Sequence, residues 1–144
     1  MRINLIANAS VTIDAPPVKV WDALVNPTAI KQYMFGTDVV SDWRDGSSIT
    51  WKGVWQGKSY EDKGTIRQIK PERLIEYTHF SPLSDLPDQS ENYHTVKIHI
   101  SDQGNRTQVS LAQDNNANEQ ARDHSEKTWK IMLSGLKQFV EQQR

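Results

Sequence analysis

The stretch from about residue 118 to residue 142 constrains this chain most. Ala121, Ser125, Trp129, Met132, Leu133, Leu136, Phe139 and Val140 recur there at helical spacing on one side, while Lys127, Lys130, Lys137, Glu141 and Gln142 fall mostly off that stripe. An apolar stripe of that period predicts one long amphipathic helix, whose stripe must find a partner surface. Everything upstream reads mainly as sheet, so the partner is a sheet. A single terminal helix gripped by an antiparallel sheet leaves space for a pocket between the two. Ligand sites of this kind are concave, mostly apolar and largely pre-formed, and the expectation is a cavity of roughly a few hundred Å³.

The upstream residues supply that sheet. Ile3, Leu5, Ala7, Ala9, Val11 and Ile13 alternate with polar residues, Ile6 excepted, as in a strand with one buried face. Pro16 and Pro17 end it and suit the first turn of a helix. Val18, Trp21 and Val25 then share one helical face, with Val20 and Leu24 beside it. Asn26-Pro27 caps and opens a second short helix holding Ile30, Tyr33 and Met34, which stops near Gly36. From Thr37 onward strands are predicted at 39–43, 48–56, 59–70, 73–80, 93–101 and 106–113. The turns fall at Asp45-Gly46, Gly57-Lys58, Pro71-Glu72 and Gly104. On strand 73–80, Leu74/Phe80 and Ile75/Tyr77 compete for the buried side. The longest irregular stretch is 81–92, with Pro82 and Pro87 inside it, and is a candidate lid. Turns this closely spaced predict an antiparallel meander. The fold class is therefore α+β: a curved antiparallel sheet of six to seven strands wrapped around a long C-terminal helix, with two short helices after the first strand.

Composition narrows the partners. At 144 residues the chain fits one domain spanning 1–144, and a chain of that size buries roughly 68–70% of its unfolded surface. Its 17 basic and 18 acidic residues nearly balance, and no Lys/Arg run tracks a phosphate backbone, so no nucleic-acid partner is expected. With no cysteine there are no disulfides, thiolate nucleophiles or Cys-ligated metals. The opening residues alternate and form no apolar core of a signal peptide, and no run approaches the roughly 18 apolar residues of a membrane span. No membrane insertion and a cytoplasmic location are expected.

Several motifs, in this order, resemble one superfamily. Ala15-Pro16-Pro17 with Val20-Trp21 and Ala23-Leu24 resembles its opening. Asn26-Pro27 with Ile30, Tyr33, Met34, Phe35 and Gly36 resembles its second-helix signature. Lys58 to Gly64 (KSYEDKG) and Ile69-Lys70-Pro71-Glu72-Arg73-Leu74 resemble its central hairpins. Gln113-Asp114-Asn115-Asn116, leading to His124-Ser125, Trp129, Leu133 and Leu136-Lys137, resembles the closing helix of one branch. The superfamily is the SRPBCC or START-like group, which includes the birch-pollen-allergen-like proteins, and the branch is that of the heat-shock-protein ATPase-activator homologues. The resemblance covers essentially the whole chain and implies the helix-grip fold. It also implies a possible chaperone partner, although the extra N-terminal domain of eukaryotic activators is expected to be missing. It does not fix an activity, because the fold hosts binders, transporters and cyclases.

His94 and His99 sit five apart on one strand and face opposite ways, so they cannot share a metal. His79 and His94 flank the 81–92 connection and are candidate cross-strand neighbours, but no third ligand with metal spacing accompanies them. His79 is also a candidate general base if it faces the cavity. His124 lies at the edge of the helical stripe and is expected to pack against the sheet end. Of Glu61 and Asp62, one faces inward and one outward. Glu76, among Leu74, Ile75 and Tyr77, is either buried or on a solvent face. Neither a nucleophile elbow, nor a glycine-rich phosphate loop, nor a glycosidase carboxylate pair is present.

Aromatics are the most suggestive class, with five tryptophans and four tyrosines. Rings combine apolar area with polar handles. The cavity candidates are Trp51, Trp55, Tyr77, His79, Tyr93, Trp129 and Met132, with Tyr33, Met34 and Phe35 at the entrance. Together these predict binding of a small hydrophobic or aromatic molecule without obligatory chemistry, by a monomer or homodimer. No catalytic residue, metal or cofactor is assigned. The alternatives are a protein-interaction module of the co-chaperone kind and a cavity enzyme using His79 or Glu76.

Overall fold

The computed structural model describes residues 5–142 and, within them, every side chain except that of Trp55. The strands are β1 Leu5–Ile13, β2 Asp38–Ser41, β3 Ser48–Trp55, β4 Lys58–Lys70, β5 Leu74–His79, β6 His94–Asp102 and β7 Thr107–Asn116. Helices α1 (Pro17–Val25) and α2 (Pro27–Tyr33) follow β1, and α3 (Glu119–Gln142) closes the chain. The seven strands make one antiparallel sheet in the order β1-β7-β6-β5-β4-β3-β2, and α3 packs on its concave side. This is the helix-grip α+β architecture. Among the described residues no helix is long and apolar enough to cross a membrane. Ile3, placed in the first strand from its alternation, lies outside the described residues.

Local chemistry sets the helix starts. The Asn26 side chain accepts from the backbone N–H groups of Thr28 (2.9 Å) and Ala29 (3.4 Å), filling two of the donors a helix start leaves open. Pro27 then begins α2 where its missing N–H costs nothing. In α1 the buried face is Val20, Ala23 and Leu24, while Val18 points to solvent and Trp21 and Val25 are half-buried. The apolar stripe there lies one position further round than the Val18–Trp21–Val25 face read from the sequence.

The curl of the sheet is built into β4. Its first half pairs with β3, from Ser48↔Thr65 to Trp55↔Lys58, and its second half with β5, from Ile66↔Tyr77 to Lys70↔Leu74. A register shift between Ile66 and Gln68 marks the change of partner, as a bulge does where a strand bends. At Gly64 the backbone runs so close to β5 that an added Cβ would lie 1.7 Å from the Thr78 carbonyl oxygen. The β3–β4 turn is Gln56-Gly57, both at positive φ (49° and 80°), one residue earlier than the Gly57-Lys58 expected. On β5, Ile75 and Tyr77 take the concave side. Phe80 is buried as well, stacked on Tyr93 with ring centroids 5.1 Å apart.

Met132, Leu133, Leu136 and Val140 of α3 are buried against this surface. Gly135 lets α3 approach α2, since a Cβ there would lie 3.3 Å from Tyr33 Cβ. The same helix covers the free edge of β1. The Asn8 and Asp14 N–H groups donate to Glu126 (3.0 Å) and Glu141 (2.8 Å), and the Lys137 ammonium donates to the Thr12 carbonyl (3.0 Å). An edge whose backbone groups are occupied in this way offers no template for another strand.

Candidate functional site

Where α2, α3 and the concave sheet meet, the side chains leave a narrow seam. Trp51 and Ile49 of β3, Ile75 and Tyr77 of β5, and Ile98 of β6 form its floor. Trp129 and Met132 of α3 form its roof. Ile30 and Tyr33 of α2 and Met34 at its C-terminal cap, with Leu24, Val39 and Trp43, close the side. The void between them is about 30 Å³, which holds no more than a couple of water molecules. This corrects the expected cavity of a few hundred Å³. The rings themselves fill the space: Trp51 and Tyr77 stand 5.2 Å apart, and Tyr33 meets Phe139 at 6.2 Å.

The seam carries few polar groups. The Tyr33 hydroxyl donates to the Ala23 carbonyl (2.8 Å), and the Trp129 indole N–H donates to Gln113 Oε1 (2.6 Å). Tyr77 lines the void, and its hydroxyl has no hydrogen-bond partner among the described residues. Burial pushes both phenols above the usual tyrosine range, so each stays protonated and able to donate.

Beside the seam sits a polar pair. Asp62 lies opposite Trp51 on β4, and its Oδ2 accepts from His79 Nε2 at 2.8 Å. Its other oxygen, Oδ1, is buried with no partner. His79 lies edge-on to Trp51, ring centroids 5.0 Å apart, and of the three only Trp51 lines the void. His79 and His94 are register partners with rings 6.2 Å apart, as their positions flanking the loop suggested. They do not converge on an ion. His94 Nδ1 is 2.8 Å from the Asp114 carbonyl, and among the described residues no three His, Asp or Glu side chains are placed to hold a metal.

Of the residues read from the sequence, Trp51, Tyr77, Trp129, Met132, Tyr33 and Met34 are brought together on the seam. Four are not. His79 stands behind Trp51, paired with Asp62. Tyr93 stacks on Phe80 away from the void, and its hydroxyl donates to Asp88 (2.6 Å). Asp88 also pairs with Lys63, whose hydrogen bond holds the carboxyl below its usual range. Phe35 is exposed, its backbone in the left-handed region (φ 58°). The Trp55 side chain lies outside those described.

Elsewhere His124 is exposed and does not pack against the sheet end, because it falls one step off the buried stripe. Glu76 lies on the face opposite Tyr77, between Arg67 (3.8 Å) and Lys97 (3.9 Å), and cannot serve as a cavity acid. Glu61 points outward to Lys52 (3.7 Å) and Asp62 inward.

Sequence reasoning missed Trp43, Gln113 and the importance of Asp62. The strand expected over 39–43 ends at Ser41, and Trp43 reaches the seam from the following loop with its backbone in the left-handed region (φ 56°), which alternation does not encode. The run 113–116 proves to be a set of braces. Gln113 holds Trp129, and Asp114 Oδ1 accepts from the Thr95 N–H (2.5 Å). The Asn115 amide donates to the Glu91 and Tyr93 carbonyls, and that of Asn116 to the Leu5 and Gln113 carbonyls.

Comparison with known proteins follows the same lines. The family model described as "Activator of Hsp90 ATPase homolog 1-like protein" matches residues 14–141. Among curated proteins none matches significantly. A solution structure of a protein from Cytophaga hutchinsonii is 54% identical, covering 99% of this chain and 98% of its own, with a TM-score of 0.87. The Aha1 dimer from Colwellia psychrerythraea is 18% identical over 95% of this chain and 96% of its own, TM-score 0.73. Ara h 8.0201 is 11% identical over 97% and 99%, TM-score 0.75. The last two share the fold alone.

Proposed function

The chain belongs to the Activator of Hsp90 ATPase homolog 1-like family, a branch of the SRPBCC superfamily, and from that premise we propose that it binds a small hydrophobic or aromatic molecule in the seam between sheet and α3. The observation that carries this reading is Tyr77, which lines an apolar void and whose protonated hydroxyl has no partner among the described residues. A few convergent polar groups in an apolar, aromatic wall are what fix a ligand's orientation. The void of about 30 Å³ means that a guest parts the seam on entry. Met34, Trp43 and Trp129 are only half-buried and form the yielding side. The ligand contacts in this reading are Trp51, Tyr77, Trp129 and Met132, with Tyr33 and Met34 at the entrance. The protein then acts as one domain over 1–144, in the cytoplasm, as a monomer or homodimer.

The test is a thermal-shift screen of lipids, polyketides and aromatic metabolites, read alongside tryptophan fluorescence. A binder raises the melting temperature and changes the emission of Trp51 and Trp129. No shift from any class at millimolar concentration removes the reading. The family description favours a second reading, a protein-interaction module acting on an ATPase chaperone. Its check is a pull-down and ATPase assay with the Hsp90-type chaperone, in which neither capture nor stimulation rejects it.

A further inference from the structure

We propose that the Asp62–His79 pair is the polar end of the ligand site, a subsite that accepts a hydrogen bond from a hydroxyl or protonated amine on an aromatic guest. This rests on the ligand-binding reading above and adds to it the chemical class of the guest. Three observations converge. Asp62 is held by one oxygen only, Oδ2, 2.8 Å from His79 Nε2. Its Oδ1 is buried and has no partner, although an ionised carboxylate accepts at both oxygens. An acceptor buried without a donor costs free energy, and native structures seldom keep one without a reason.

The third observation is placement. Asp62 is the register partner of Trp51, and Trp51 forms the wall of the void together with Tyr77. Trp51 also meets His79 edge-on, ring centroids 5.0 Å apart. Trp51 therefore borders the seam and lies beside the pair that carries the orphaned oxygen. A guest that parts the seam beside Trp51 brings a donor on its rim to Asp62, while its ring lies among Tyr77, Trp129 and Met132. A metal does not account for the orphaned oxygen, since no third ligand joins Asp62 and His79 among the described residues. Neither does a lysine or arginine: the cation next along β4, Lys63, pairs with Asp88 instead. His79 is a positioning residue here. Its ring fixes which Asp62 oxygen is left open.

The probes are 2-naphthol and 2-methoxynaphthalene, which share the ring system and the oxygen; the first donates a hydrogen bond, and the second carries a methyl group in place of that proton. Binding to the full chain is measured by tryptophan quenching and calorimetry. 2-Naphthol is expected to bind about tenfold more tightly, the worth of one hydrogen bond to a charged acceptor. Asp62→Asn, which keeps shape but removes the charge, is expected to erase most of that preference. His79→Gln is expected to reduce the preference in the same way, and it decides the matter if Asp62→Asn does not fold. Equal affinity of the two probes for the unaltered protein, or a preference that survives in a folded variant, overturns the subsite while the seam reading stands. Failure of both probes to bind at millimolar concentration overturns the two together.

Discussion

Two tyrosines of the same seam differ in one bond. The Tyr33 hydroxyl donates to the Ala23 carbonyl and ties α2 to the end of α1, whereas the Tyr77 hydroxyl has no partner among the described residues. Replacing Tyr33 by Phe removes a bond and strands a buried carbonyl, for a loss of about 1 kcal/mol. Replacing Tyr77 by Phe removes a donor with nothing to bond, so stability in urea stays within about 0.5 kcal/mol or rises. The two variants share a high-pH signature. Burial raises both phenols above their ordinary value of 10.0. Below pH 10 neither state loses a phenolic proton. Above it the unfolded chain releases protons that the folded one retains, so stability falls as pH rises. Each substitution removes one such group, and the alkaline fall in the urea midpoint becomes shallower in both. An equally steep fall in the variants would show that other groups govern alkaline unfolding.

The element that shapes the site is β4, because it changes partner midway. Gly64 sits at that change, and its missing side chain lets β4 pass the Thr78 carbonyl. Gly64→Ala forces the two strands apart, at a cost near the upper end of the roughly 1–3 kcal/mol seen for overpacking. Gly46 is the contrast. It has φ +86° with nothing within 4 Å of an added Cβ, so Gly46→Ala meets only backbone strain of about 1–2 kcal/mol. Urea midpoints that rank Gly64→Ala as the milder change would discount the close approach. The same bend explains what could be read in advance. The stripe on α3 was legible because Met132, Leu133, Leu136 and Val140 obey one period and face one surface. Val96, Ile98, Val109 and Leu111 were legible for the same reason on strands. The parity of β5 was not, because it depends on a register shift in the neighbouring strand β4, between Ile66 and Gln68. With parity open, Tyr93 and His79 could be assigned to the void when one stacks on Phe80 and the other pairs with Asp62. That pair joins residues 17 apart across the bend. No periodicity encodes it.

At the scale of the whole molecule, the question is how a sheet and a helix in near contact admit a guest. The resting void is about 30 Å³, an order of magnitude below the roughly 300–1,000 Å³ of established ligand pockets. If binding requires the seam to part, the free protein is only fractionally in the competent form, and apparent affinity is reduced by that fraction. A substitution that hollows the seam therefore trades stability for affinity. Met132 is the suitable position: it is buried on α3, borders the void, and carries no hydrogen bond that its loss would strand. Met132→Ala should cost about 2–5 kcal/mol, from lost burial and the added cavity. It should also bind 2-methoxynaphthalene more tightly than the unaltered protein, because part of the opening is already made. A site on the outer surface predicts otherwise, since hollowing the interior leaves its affinity unchanged. A pre-formed pocket elsewhere predicts the same indifference. Only a guest that enters between β5 and α3 makes the less stable protein the better binder, provided the urea transition shows Met132→Ala folded at the assay temperature.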